Sequence, residues 1–253
     1  GISDTNQELC ETLYKLGHNV KVISFKLLYP SILFPGITQF YKDKSKQKIK
    51  SKRLINSINP FNWINTARII NDLNPELVIS TYWTPFLAPC LSFVNNAINK
   101  NILKIGLIHN VYPHEKNIFQ RKLFKIYLDS INKSVALSKN INNQINLISK
   151  SKKKIVLFHP IPKKFGKPIE KQIAKEKIGL KKNYNYLLFF GLIREYKGLD
   201  ILIESMSEII KKRNNVKLLI VGENYQSVSK YKKLIKKNNL ENKISFINHF
   251  ISE

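Results

Sequence analysis

Short β-branched segments alternate with helical segments along most of this chain, and the alternation restricts its fold more than any other feature. Helical patterns separate nearly all of the predicted strands. In residues 4–16, for example, Leu9, Leu13 and Leu16 recur on one helical face, and Gly17 takes the position of a C-terminal cap. Strand-like runs occur at residues 19–25, 77–80, 102–108, 134–137, 154–158, 186–190, 217–221 and 244–247. Strands that alternate with helices predict βαβ units and parallel sheets covered on both faces, which is an α/β fold.

A segment rich in proline and lysine divides this pattern in two. Residues 159–168 (HPIPKKFGKP) continue neither a helix nor a strand and are typical of a linker. We therefore expect two Rossmann-like, doubly wound parallel-sheet domains, residues 1–160 and residues 161–253. Three strands are predicted in the second, fewer than a complete doubly wound sheet usually has. A chain that starts with Gly1 and stops at Glu253 directly after a strand is expected to be a fragment, with the second domain incomplete.

The large positive charge suggests nucleic acid as a partner, but the residues that carry it argue against this. The net charge is +26, from 43 Lys+Arg and 17 Asp+Glu. The excess is almost all lysine, whereas bidentate recognition of bases and phosphates favours arginine. Ile and Asn are abundant as well, and all three residues have A/T-rich codons, so base composition explains much of the charge. A non-catalytic basic protein that binds polyanions stays open as an alternative.

The densest positive charge lies within residues 26–59, for which no regular element is predicted. Residues 41–53 (YKDKSKQKIKSKR) carry seven cations and one acid. One interpretation is a solvated surface insertion. The other is peripheral contact between Lys42–Arg53 and an anionic membrane, because each Lys at such a surface contributes about 1 kcal/mol. We expect a cytoplasmic protein, peripheral at the inner face of the cell membrane in the second interpretation.

Two further observations bear on the compartment. No apolar run approaches the roughly 18 residues that a membrane-spanning helix needs. Cys10 and Cys90 are too few for a disulfide framework, which fits a reducing compartment.

The most informative segment for chemistry is YLLFFGLIREYKGLDILIESM, residues 186–206. The familiar dinucleotide, P-loop, zincin and serine-hydrolase motifs are absent from the sequence. Here a buried strand ends at Gly191, a short loop carries Arg194 and Lys197, and Gly198 opens a helix. Parallel α/β sheets bind ligands at the carboxyl ends of their strands, and a helix N-terminus attracts anions. These are the parts of a diphosphate site, although the residues alone also fit a solvated loop with two surface cations.

Together with LLIVGE at residues 218–223, this segment resembles the donor-binding half of the family 4 (group 1) glycosyltransferases. These are retaining nucleotide-sugar enzymes of the GT-B fold. Similar segments occur in the same order elsewhere: Gly1 and TNQELCETLYKLGHNVKVISF, then IGLIHNVYPHE at residues 105–115, then FHPIPKKFG. The resemblance implies a GT-B-like fold and transfer of a sugar, with retention, from a nucleotide-diphosphate sugar to a hydroxyl acceptor. The acceptor would be a glycan, a polysaccharide or a lipid-linked sugar, as in cell envelope polysaccharide biosynthesis, and no metal or other cofactor would be required.

The resemblance also implies roles for individual residues. Arg194, Lys197 and Gly198 would bind the donor diphosphate, as would Gly1, the remnant of a glycine loop. His109, at a strand end, would be the catalytic residue that contacts the transferred sugar. Four more residues would position the sugar or the acceptor: Asn110, His114, Glu115 and Glu223.

The chain departs from the family pattern in two respects. The family has an Arg directly after the strand-end glycine; here that place is taken by Leu192, and Arg194 would substitute for it. The E-x7-E segment that binds the ribose and sugar in the family would lie beyond Glu253, and the first strand of the family's fold would lie before Gly1. We therefore expect weak donor binding by this chain alone. A GT-B-fold sugar-nucleotide epimerase is the alternative enzyme; its C-terminal catalytic set is missing here, and the IREYKGLD loop favours transfer.

Overall fold

The computed structural model describes residues 2–30, 49–111, 118–150, 153–159, 161, 166–224 and 227–249. Its contacts divide the chain into two compact units, Gly1–Lys164 and Phe165–Glu253. The described part of the first unit contains α1 (Ile2–Lys15), β1 (Val22–Leu27), β2 (Ser51–Asn56), α2 (Pro60–Leu73), β3 (Leu77–Tyr82), α3 (Ala88–Ala97), β4 (Leu103–Ile108), α4 (Ile118–Asp129), β5 (Lys133–Ala136), α5 (Lys139–Asn146) and β6 (Lys153–Val156).

The strands of the first unit are parallel, as the alternation of strands and helices predicts. β1 pairs with β2, and β3, β4, β5 and β6 follow one another in a four-stranded sheet. One apolar cluster packs α3, α4 and α5 on the four-stranded sheet, and a second packs α2 and α3 around Ile55 of β2. The carboxyl ends of β3 to β6 therefore lie along one edge of the sheet.

β2 corrects the expectation that residues 26–59 contain no regular element. Ser51, Lys52 and Arg53 form its first half, and Ile55 is its buried residue. The strand has too few apolar residues for a period-2 pattern, so its sequence gives no strand signal. It forms because its backbone pairs with β1 and Ile55 packs against α2. Residues 31–48 of the same region, with most of the predicted membrane-binding lysines, lie outside the described residues, and membrane contact stays a prediction.

A glycine allows a helix to approach the middle of β4 closely. A Cβ on Gly106 would lie 2.6 Å from Ile131 Cδ1 and 2.7 Å from the hydroxyl oxygen of Tyr127 on α4. That Tyr127 hydroxyl is buried and donates a hydrogen bond to the Ser80 carbonyl oxygen of β3 at 3.0 Å. The contact fixes α4 against β3 and β4 just before both strands end, which positions the residue after β4, His109.

The described part of the second unit contains a smaller parallel sheet. It has α6 (Lys171–Lys177), β7 (Asn185–Phe190), a 3₁₀ turn (Glu195–Lys197), α7 (Leu199–Lys212), β8 (Val216–Val221), α8 (Ser229–Lys237) and β9 (Ile244–Ile247). The strand order is β7–β8–β9, all parallel. Buried residues of α7 (Leu199, Ile203, Met206) and of α8 (Tyr231, Ile235) pack with β8 in a single core. Among the described helices of the chain, none is both long and apolar enough to cross a membrane.

Candidate functional site

The loop that follows β7 is held against the end of β8 by backbone hydrogen bonds. The Gly191 N–H donates to the Val221 carbonyl oxygen at 3.0 Å, and the Ile193 N–H donates to the Glu223 carbonyl oxygen at 3.0 Å. Ile193 is also buried in the core of the second unit. The two strand ends thus continue side by side past the sheet, and Glu223, a predicted site residue, lies next to the loop that carries Arg194.

Two glycines make this close approach possible. Gly191 has φ +106° and Gly222 has φ +153°, values that side-chain-bearing residues rarely adopt. A Cβ on Gly222 would lie 1.9 Å from the Gly191 carbonyl oxygen, well inside contact distance. The backbones after β7 and β8 therefore touch at a point where only hydrogen fits, and this contact fixes the direction in which the chain continues toward Lys197.

Arg194 and Lys197 lie at the N-terminus of α7. Arg194 precedes the 3₁₀ turn, Lys197 ends it, and Gly198 follows with φ 69° and ψ 33°. Gly198 offers no capping side chain to α7, so the N–H groups of the first helical turn are open to an anion. The Lys197 Nζ folds back toward the strand end, since it lies 3.3 Å from the place of a Cβ on Gly191. The structure thus brings together Arg194, Lys197, Gly198 and the backbone of Glu223.

A third cation belongs to the same neighbourhood, although the sequence did not indicate it. The Lys230 Nζ on α8 donates a hydrogen bond to Glu195 Oε1 at 2.7 Å and lies 3.7 Å from Asp200 Oδ2. Glu195 is in the 3₁₀ turn, and Asp200 is in the first turn of α7. Lys230 has no distinguishing motif, because it stands in a lysine-rich helix about thirty residues further along the chain.

His109, in the first unit, lies directly after β4, as predicted. Its backbone N–H donates to the Tyr82 carbonyl oxygen at 2.9 Å. Its side chain is only 6% exposed, and its Nε2 has no hydrogen-bond partner within the described part of the chain. The His159 ring packs against the His109 ring, with 5.2 Å between the ring centroids. A buried, unsatisfied nitrogen is costly unless a ligand completes its hydrogen bond, so His109 is suited to contact a bound hydroxyl.

The surroundings of His109 keep its ring neutral. Burial, and secondarily the neighbouring His159, lower its pKa from 6.5 to about 4. Asn110 follows it on the surface, while Gly1, His114 and Glu115, three other predicted site residues, lie outside the described residues. The individual roles of these residues stay predictions.

The lowered pKa predicts a pH-dependent stability. Between pH 6.5 and about 4 the unfolded chain binds a proton at His109 that the native chain does not, so the free energy of unfolding falls as the pH falls through this range. Over this pH range we expect the free energy of unfolding of His109→Gln to fall by about 2 kcal/mol less than that of wild type. Urea unfolding at the two ends of the range measures it. His18→Gln, a change at an exposed histidine, should keep the wild-type fall; equal falls in wild type and His109→Gln would contradict the prediction.

Among the described residues, no group of three or more His, Cys, Asp or Glu side chains is arranged to hold a metal ion. The question of a metal requirement therefore stays a prediction.

The sequence of the second unit is similar to a known family. Residues 170–251 match the model of the family described as Glycosyl transferases group 1. A D-inositol 3-phosphate glycosyltransferase of Segniliparus rotundus is 37% identical over 57 residues, which are 22% of this chain and 13% of that protein. The family match covers the site loop, since Gly191 to Glu223 lies within residues 170–251.

Solved structures resemble the chain over a longer range. Sucrose-phosphate synthase of Thermosynechococcus elongatus has a TM-score of 0.73 at 14% identity, covering 99% of this chain and 65% of that one. HepE of Anabaena, solved in complex with UDP and glucose, has a TM-score of 0.62 at 12% identity, covering 81% of this chain and 57% of that one. The chain thus spans less than two thirds of these proteins, and at such identities the likeness concerns the fold. The chain has a GT-B-like fold of two Rossmann-like units, and its residues 170–251 are similar in sequence to the group 1 glycosyl transferases.

Proposed function

We propose that the protein is a glycosyltransferase that moves a sugar, with retention, from a nucleotide-diphosphate sugar to a hydroxyl of a glycan, a polysaccharide or a lipid-linked sugar. One observation carries the proposal. Arg194 and Lys197 lie at the uncapped N-terminus of α7, at the carboxyl end of β7, within the segment that is similar to group 1 glycosyl transferases. The UDP complex of HepE supports a nucleotide donor by analogy of fold.

The chemistry of the loop suits a departing diphosphate. Negative charge builds up on the diphosphate as its bond to the sugar breaks. The Lys197 ammonium, the Arg194 guanidinium and the N–H groups of α7 are fixed donors for that charge, and fixed donors stabilise a transition state without having to reorganise. Lys197 and Arg194 therefore bind the diphosphate and lower the barrier to its departure.

The transfer step needs no reactant other than the nucleotide-sugar donor and the acceptor. The bond between the anomeric carbon and the phosphate oxygen breaks, and the carbon gains oxocarbenium character. The acceptor oxygen bonds to that carbon from the same face, and its proton passes to the departing phosphate. His109, neutral and with an unsatisfied Nε2, has the role that the family resemblance implies, a hydrogen bond to the transferred sugar.

Ligand-induced stabilisation of the protein tests the donor class. Thermal unfolding is followed with UDP, GDP and ADP and with their sugars. A ligand that binds only the folded protein at a hundred times its Kd adds about 2.7 kcal/mol to the free energy of unfolding. We expect one nucleotide series to raise the Tm, Arg194→Ala to reduce that rise, and EDTA to leave it unchanged.

Two results would contradict the proposal. If no nucleotide shifts the Tm and the protein instead binds polyanions with a steep salt dependence, it is a basic binding protein. If a nucleotide sugar is converted into an isomer without an acceptor, as proton NMR would detect, it is an epimerase. Transfer to an added acceptor, with release of the nucleoside diphosphate, supports the proposal.

A further inference from the structure

Two carboxylates lie unexpectedly close to the loop that we assign to an anionic ligand. Glu195 is two residues before Lys197, and Asp200 is two residues after Gly198. Carboxylates in the first turn of a helix stabilise the helix itself, because they interact with its partial positive charge. The same charges repel an anion that binds there, so the loop contains its own obstacle to diphosphate binding.

Lys230 is placed to remove this repulsion. It lies in the first turn of α8, and its Nζ contacts Glu195 Oε1 at 2.7 Å and Asp200 Oδ2 at 3.7 Å. One ammonium group thus bridges a carboxylate of the 3₁₀ turn and a carboxylate of α7. The pKa of Lys230 is raised, chiefly by its hydrogen bond to Glu195, so the group stays cationic at neutral pH.

The three side chains that form these contacts are accessible to water. Lys230 is 53% exposed, Glu195 is 71% exposed and Asp200 is 32% exposed. Ion pairs this accessible to water contribute little to folding, because water screens them and the long side chains lose conformational freedom. Their field nevertheless acts on any charged group held in the same loop, at distances of about one Debye length or less.

We propose that Lys230 is a charge-compensating residue of the diphosphate site: by pairing with Glu195 and Asp200 it cancels the repulsion that these acids exert on a ligand at Lys197. The inference rests on the proposed function and extends it to a residue on another helix. Lys230 acts through the two carboxylates and is not a catalytic residue. Removal of the Lys230 ammonium therefore weakens nucleotide binding by leaving the two carboxylates uncompensated. Removal of one of these carboxylates from the same variant should restore binding.

Calorimetric titration with UDP, GDP and ADP, at low and at high ionic strength, tests the inference. At low ionic strength we expect Lys230→Ala to raise the Kd of the nucleotide that binds wild type about three- to tenfold, and Lys230→Arg to keep the wild-type Kd. The loss should shrink at high ionic strength. The double variant Lys230→Ala/Glu195→Gln should recover most of the lost affinity, because one uncompensated acid is gone.

The matched control is Lys236→Ala, which removes an exposed lysine near the other end of α8 and should leave the Kd within twofold of wild type, by the short range of screened charges. If Lys230 has a structural role instead, the double variant should bind as weakly as Lys230→Ala. Either that result or an unchanged Kd in Lys230→Ala overturns the inference. In both cases the proposed function stands. If wild type binds none of the three nucleotides, the proposed function fails, and the inference fails with it.

Discussion

Replacing Gly222 with alanine is expected to destabilise the second unit by about 4 kcal/mol, enough to unfold much of it in a marginally stable domain. Two effects add. The new Cβ would lie 1.9 Å from the Gly191 carbonyl oxygen, and the residue would have to keep φ +153°. Since the colliding atom belongs to the backbone of the neighbouring strand end, no side-chain rotation relieves it. Urea unfolding, followed by far-UV circular dichroism, measures the loss.

Gly179→Ala is the control for this change. Gly179 lies in the same unit, also has a positive φ (+69°), and has nothing within 4 Å of the place of a Cβ. It therefore isolates the conformational effect, for which we expect about 1 kcal/mol. Equal losses for the two variants would show that the strand ends do not touch as described.

The second large effect concerns Lys197. We expect Lys197→Ala to abolish the stabilisation by nucleotides and to lower the rate of sugar transfer about a hundredfold or more, because removal of one fixed donor from a developing anion has an effect of that size. The Lys197 Nζ lies close to Gly191 at the strand end, and the loop of residues 191–198 has no second lysine that could replace it. Thermal unfolding with the nucleotide series and initial rates with the best donor measure the two effects.

Lys212→Ala provides the comparison. Lys212 is an exposed cation in the last turn of α7, at the opposite end of the same helix. Its removal lowers the net charge equally and weakens the helix by about 0.3–1 kcal/mol, but should leave nucleotide binding intact. If Lys197→Ala retains the wild-type stabilisation by nucleotides, the assignment of the diphosphate to this loop is wrong.

Much of this architecture could be predicted because it depends on short segments. The apolar runs of β4, β7 and β8 and the helical period of α7 are contained in six to fourteen consecutive residues. The order of these elements then predicts parallel pairing, and parallel pairing places the ends of the strands at one edge. Arg194 and Lys197 were predictable as a pair for the same reason, since one loop of a few residues carries both.

Other features had no signal in the sequence. β2 contains too few apolar residues to be recognised, and it exists because β1 offers its backbone for pairing. His109 was predicted at a strand end, but its burial and its contact with His159 depend on how β4, β5 and β6 lie side by side. The pairing of Lys230 with Glu195 joins residues 35 positions apart, in a chain where lysines are too common to be informative.

The sequence by itself therefore determined the α/β class of this protein, the order of its elements and the loop in which an anionic ligand is expected, because hydrophobic periodicity, turn residues and helix ends are local properties. Only the tertiary structure decided that Gly222 touches Gly191, that Lys230 reaches Glu195 and Asp200, and that the His109 ring is buried and neutral. These features depend on the register and spacing of strands and helices that are distant along the chain, and such distances are set by packing of the whole core.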